Sequence, residues 1–381
     1  MKVASREKCL VGDTADMEEI FRIKNFPAYI GTTDAHKCDD IENDLIFDIS
    51  RSSGMVQIRE LVPLEVVYDK YHCEAIGPTW KKHHDEFAAF LRTFPAKNII
   101  EVGGSNGYMA KTFLKLKDDT RWTMIDPTPS EIEHNNPRLQ VITGFFSKEV
   151  AQDLNFDTVV HSHTLEHMYD PDSFIKTIAK NLDKGGHHVF AVPNLRKYFE
   201  NRYSNVLNFE HTYYLSEQFL EYFLEKYGFE IIEKKYFLDH SIFYSTVKVS
   251  DPQPNLKCDN FYVDNKSLLE DYNNYFTLLV EKINDALRNK KFYLFGAHVF
   301  SQFLIKKGLR SENIINILDN SQLKDGQRLY GTDLVCKLPN TLSDDPAPIV
   351  VVFAGGYQEE IEKQLRELHP RVRIINENAV V

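Results

Sequence analysis

The chain has 381 residues, 43% of them hydrophobic and 27% charged, a composition for about two to three folded domains rather than a disordered chain. Its net charge of −11, with no long basic run, excludes the Lys/Arg-rich surface that binding to duplex DNA or RNA requires. No apolar stretch approaches the roughly 18–20 residues of a membrane span, so neither nucleic acid nor membrane is expected as a partner.

The charged start, Met-Lys-Val-Ala-Ser-Arg, lacks the apolar centre of a signal peptide, and five scattered cysteines fit a reducing compartment, so a cytoplasmic location is expected. Residues 1–90 read as an N-terminal block of short strands and turns, with runs such as Leu45-Ile46-Phe47 and Met55-Val56-Gln57-Ile58. A helix follows near 80–94, with Trp80, Phe87, Phe90 and Leu91 on one face.

Residues 91–250 alternate strand and helix signals. Strands are expected at 98–102, 122–125, 156–160 and 188–193, and helices at 109–116 and 174–182. That alternation implies an α/β fold with a parallel, doubly wound, Rossmann-like sheet. A polar linker and a helix occupy 251–285. A second, smaller Rossmann-like block over 286–381 has apolar strands at Phe292-Tyr293-Leu294-Phe295, Ile314-Ile315-Asn316-Ile317-Leu318 and Ile349-Val350-Val351-Val352.

The strongest chemical signal follows the strand at 98–102, where Glu101-Val102-Gly103-Gly104-Ser105-Asn106-Gly107 reads E-x-G-x-x-x-G. Glycines there let the backbone turn tightly and approach a ligand, and the next helix offers free N–H groups. Asp126 closes the following strand, where ribose hydroxyls are held in such folds. The spacing differs from G-x-G-x-x-G, which makes an NAD-dependent sugar oxidoreductase the weaker alternative.

Together with the segment Asn155–His167, Leu182-Asp183-Lys184-Gly185-Gly186 and Tyr227-Gly228-Phe229, these residues resemble the class I S-adenosylmethionine-dependent methyltransferases. The resemblance implies that Glu101, Gly103, Gly104 and Gly107 form the cofactor turn and that Asp126 holds the ribose. His163 and His167 would line the sulfonium and substrate pocket. The stretch that often carries an adenine-reading carboxylate is Thr143-Gly144-Phe145-Phe146, which leaves Phe145 or Phe146 to contact the adenine.

The outer blocks resemble the three-domain sugar C-methyltransferases of nucleotide-deoxysugar pathways. The parallel runs through Cys9, Ser53-Gly54-Met55-Val56-Gln57, Val67–Tyr71, Thr79-Trp80 and His84–Phe87, and through Phe295-Gly296-Ala297, Leu318-Asp319-Asn320 and Tyr330-Gly331-Thr332. A nucleotide-linked sugar is therefore the expected substrate. Two departures stand out. The family's two Cys-x-x-Cys pairs read Cys9…Gly12 and Ser50…Ser53, one thiolate where tetrahedral zinc needs about four ligands, so no metal is expected. The family's catalytic tyrosine is replaced by Asn208, whereas Glu210 and His211 match.

His211, with Glu210 beside it, is the expected base for removing the acceptor's proton, and His167 is a further catalytic candidate. Tyr71, Asn208 and His240 are expected at the substrate. Loss of the tyrosine tilts the reading toward O-methylation, with C-methylation of a keto-deoxysugar as the alternative and a non-catalytic nucleotide-sugar binding protein as the third. The oligomeric state is left open.

Overall fold

The computed structural model describes residues 3–68, 77–129 and 136–380. Around the central sheet the elements run α1 (Pro78–Leu91), β1 (Asn98–Val102), α2 (Tyr108–Leu116), β2 (Arg121–Asp126), β3 (Leu139–Thr143) and β4 (Thr158–Ser162). They continue through α3 (Pro171–Asn181), β5 (His187–Pro193), α4 (Glu217–Lys226), β6 (Phe229–Phe237), β7 (Ser241–Lys248) and α5 (Tyr262–Ala286).

The seven strands lie in the order β6-β7-β5-β4-β1-β2-β3. β1 and β4 are buried along nearly their whole length, as expected for strands covered by helices on both faces. The chain winds outward from β1 to β3, then returns to β4 on β1's other side, so a crevice opens at the carboxyl ends of β1 and β4.

The sheet is mixed rather than fully parallel, because β7 runs antiparallel to both β5 and β6. The reason is local. Only residues 238–240 separate β6 from β7, far too few for a crossover, so the two strands must form a hairpin.

The α1 helix packs with the central sheet: Phe87, Phe90 and Leu91 share a core with Phe113, Trp122 and Phe243. Before it, Met17–Pro27, Glu42–Ser50 and Val56–Ile58 form a three-stranded antiparallel sheet. In this block Cys9 Sγ lies 3.3 Å from Ser53 Oγ, and Ser50 Oγ accepts the Ser53 N–H at 3.3 Å. The Cys9–Ser53 contact thus joins the two segments, and the Ser50–Ser53 bond closes the second turn. The C-terminal block is a five-stranded parallel sheet in which Phe292–Phe295 lies between Ile314–Leu318 and Ile349–Val351. One continuous apolar core includes Phe26 and Phe47, Phe209 and Tyr213, Tyr272 and Phe276 of α5, and Phe303.

Candidate active site

The crevice above β1 and β4 is a cavity of about 310 Å³, at the lower end of the volumes that hold small ligands. Its floor is the turn after β1. Gly103 has φ +75°, and a Cβ there would meet Thr164 Oγ1 at 2.6 Å. A Cβ on Gly104 would lie 2.3 Å from Met124 Sδ and 2.9 Å from Glu101 Oε2. Both positions therefore demand glycine for packing, and Gly103 for backbone freedom as well. Gly107 caps α2 and stands outside the cavity lining.

Asp126 is buried at the end of β2. Its Oδ2 accepts the Ser105 N–H and its Oδ1 the Thr128 N–H, each at 2.8 Å. Each carboxylate oxygen accepts more than one hydrogen bond, so the pair fits ribose hydroxyls while bracing the glycine turn. Glu101 is buried below it and accepts the Trp122 Nε1–H at 2.8 Å. Burial pushes its carboxyl up to about 7, opposed by the Trp122 hydrogen bond and helped by the Asp126 charge.

Phe145 and Phe146 both line the cavity; the Phe145 ring is exposed, while Phe146 packs edge-on against Phe174 at 5.6 Å. Trp80 and His84 of α1 and Tyr108 of α2 close the other side. His163, at φ +51° after β4, also lines it, with Nε2 2.7 Å from Ser241 Oγ. The described lining residues include Glu101, Asp126 and Glu210 but no Lys or Arg, which suits a cationic donor.

On the acceptor side, His167 and Glu210 line the cavity, with His167 Nδ1 3.7 Å from Glu210 Oε2. His211 lies one ring behind, its centroid 5.0 Å from that of His167. His211 Nδ1 is 3.1 Å from the Val206 carbonyl, so Nδ1 carries the proton and Nε2 keeps the lone pair. Burial lowers the His211 pKa, against the raising effect of Glu210. Glu166 is buried beside His167, and burial raises its carboxyl to about 8.

Asn208 does not reach the cavity. It is buried under the loop, with Oδ1 accepting the N–H groups of Glu210 at 2.7 Å and His211 at 3.0 Å, and Nδ2 donating to Asn205 O at 3.1 Å. Its amide shapes the backbone that presents Glu210 and His211, which is a positioning role rather than substrate contact. His240 also stands outside the lining, against Trp80, with Nδ1 2.6 Å from Ser241 Oγ. Tyr71 lies outside the described residues.

The loop after His211 is held from the N-terminal block. Ile58 N–H donates to Thr212 O and Tyr214 N–H to Val56 O, each at 2.8 Å, so residues 212–214 extend the N-terminal sheet. The buried Arg6 guanidinium donates to Thr212 O at 2.9 Å and to the Tyr169 carbonyl. Besides the residues legible in the sequence, Tyr68 and Tyr108 line the cavity, and Arg6 and His83 stand outside its lining. Nothing in their spacing marks them, because they converge only when α1 and the N-terminal sheet fold onto β4 and β7.

Residues 78–234 match the family model described as "Methyltransferase domain". Over 159 residues the chain is 24% identical to a Mycolicibacterium smegmatis (strain ATCC 700084 / mc(2)155) protein named "Probable S-adenosylmethionine-dependent methyltransferase", covering 40% of this chain and 59% of that protein. The match thus spans under two thirds of the relative's length. Similar solved structures include the N-methyltransferase NodS from Bradyrhizobium japonicum WM9 in complex with S-adenosyl-L-homocysteine, at 17% identity and TM-score 0.35 over 46% of this chain and 90% of that one. An O-methyltransferase family protein from Burkholderia thailandensis matches at 12% identity and TM-score 0.35, over 45% of this chain and 57% of that one. With the glycine turn, Asp126 and the strand order on the same residues, the family match identifies the centre of this chain as a class I S-adenosylmethionine-dependent methyltransferase domain.

Proposed function

We propose that the chain methylates a hydroxyl of a nucleotide-linked sugar, and that the acceptor's proton leaves through His167 and His211. The observation that carries the chemistry is the fixed His211 ring. Its Nδ1–H is committed to Val206 O and burial keeps the imidazole neutral, so Nε2 is a standing proton acceptor behind the cavity wall. A sugar hydroxyl titrates far above neutral pH and needs such a base.

When bound, S-adenosylmethionine supplies an electrophilic methyl group on a sulfonium. The protein does the rest. Gly103 and Gly104 let the backbone approach the donor, Asp126 holds the ribose, and Trp80 with Phe145 limits water. Glu210 orients His167, and Asn208 fixes the loop that carries Glu210 and His211. The sugar assignment is supported by the outer blocks, which resemble those of the sugar methyltransferases in motif and order.

C-methylation next to a keto group is the second reading, and Glu166 favours it. A buried carboxyl that keeps its proton near neutral pH, 3.9 Å from His167, puts an acid beside a base, the pairing that enolisation needs. Mass spectrometry of a nucleotide-sugar panel incubated with enzyme and S-adenosylmethionine tests both. One sugar should gain a methyl group, located on oxygen or carbon by fragmentation. His211→Gln and His167→Gln should each cut that turnover by about 10²-fold while donor affinity holds. No methylated sugar from the panel would remove the substrate assignment, and near-normal turnover in both variants would remove the histidine pair.

A further inference from the structure

We propose that His83, His163 and His240 form a binding site for one first-row divalent cation of the zinc type, in the wall of the donor cavity. The three come from distant elements: α1, the segment after β4, and the β6–β7 turn. One ring nitrogen from each lies within 4.8 Å of the other two. Tetrahedral zinc–nitrogen bonds of about 2.0–2.1 Å place the donors roughly 3.3 Å apart, so side-chain movements of about 1 Å would bring the three rings onto one ion.

The proton count argues for an ion. Ser241 is buried, and its single hydroxyl bridges His163 Nε2 at 2.7 Å and His240 Nδ1 at 2.6 Å. It donates to one ring and accepts from the other. His83 receives nothing: it is fully buried, and neither of its ring nitrogens has a hydrogen-bond partner. Phe237 and Phe243 pack against its ring at 5.3 and 5.1 Å, while His163 and His240 stand 5.2 and 5.7 Å away. A buried imidazole with both nitrogens unmet calls for a missing partner, and the adjacent imidazoles point to a cation rather than a further donor.

The donor set also fits. Burial holds all three histidines below their usual pKa, so their lone pairs are free of protons at neutral pH. Three imidazoles without a thiolate suit zinc, nickel or cobalt. His163 Nδ1 lies 3.5 Å from Glu166 Oε1, an acidic group behind the imidazole, and binding the ion through Nε2 exchanges the Ser241 hydrogen bond for a metal bond. The Trp80 ring lies 4.8 Å from both His163 and His240 and lines the cavity. The bound ion ties α1 to the sheet beneath Trp80 and stiffens the wall that faces the donor.

The test uses the full chain, stripped with a chelator that is then removed, without cofactor or substrate, so its outcome is independent of methyl transfer. Cobalt(II) is titrated in and followed by its visible absorption, then displaced by zinc. Uptake should saturate at one ion per chain and raise the melting temperature. His240→Gln and His163→Gln should each weaken uptake at least 10-fold, with the circular dichroism of the metal-free form unchanged, and His167→Gln should leave uptake intact. X-ray absorption on the wild-type zinc form should show imidazole nitrogens and no sulfur, a readout that does not depend on any variant folding. No saturable uptake by wild type, sulfur ligation, or loss of uptake in His167→Gln but not in His240→Gln overturns the proposal.

Discussion

Replacing Glu101 with Gln isolates the cost of burying a carboxylate under the cofactor turn. In the fold its pKa is raised from 4.5 to about 7, chiefly by burial. The folded protein therefore binds this proton more tightly than the unfolded chain does. The resulting stabilisation is present below about pH 4.5 and is lost as pH rises through about 7. Across that interval the difference amounts to about 3 kcal/mol at ~1.4 kcal/mol per pH unit. Glutamine keeps the side chain's shape and an oxygen for Trp122 Nε1–H, yet has no charge to desolvate. Thermal unfolding of both proteins from about pH 4 to about pH 8.5 should show nearly equal melting temperatures at the acid end and an advantage for the variant that grows up to about pH 7 and is constant above it. The gain should level off at a few degrees. A melting-temperature difference that stays constant with pH would refute a titrating Glu101, and a variant weaker throughout would mean that the carboxylate is satisfied by something else.

Asp126→Ala removes the carboxylate that accepts from Ser105 and Thr128, together with its hold on the ribose. Calorimetry should show S-adenosylmethionine binding weakened by about 10- to 100-fold, the worth of charged hydrogen bonds, and unchanged affinity would place the ribose elsewhere. Asn208→Ala leaves the Glu210 and His211 N–H groups without their buried acceptor. At about 1–3 kcal/mol for each buried donor left unmet, the variant should lose several degrees of melting temperature, and Asn208→Asp, which keeps the acceptor, should recover much of that. Equal losses in both variants would separate this amide from the loop's geometry.

Much of the central domain is legible because its signals are local. An apolar five-residue run before a glycine turn is β1, and a carboxylate closing the next such run is Asp126 at the crevice edge. Gly103 is marked by a left-handed backbone that favours glycine, a local signal, whereas the need for glycine at 104 comes from its packing against Met124 and Glu101 and shows only in the fold. The direction of β7 is less visible, since a strand's apolar pattern is the same in either orientation, and only the three-residue connection to β6 reverses it. Asn208 shows a different limit. In the chain it stands where a catalytic tyrosine is expected, and only the burial of its amide against two backbone N–H groups reveals a positioning role.

What the sequence determined by itself was the α/β class, the glycine turn and the carboxylate opposite it, because hydrophobic periodicity and backbone sterics act over neighbouring residues. The tertiary structure alone decided which histidines meet. His83, His163 and His240 are separated by scores of residues, as are Arg6 and the loop it grips, and such pairs are created by helix and strand packing, whose energy belongs to surfaces far apart along the chain.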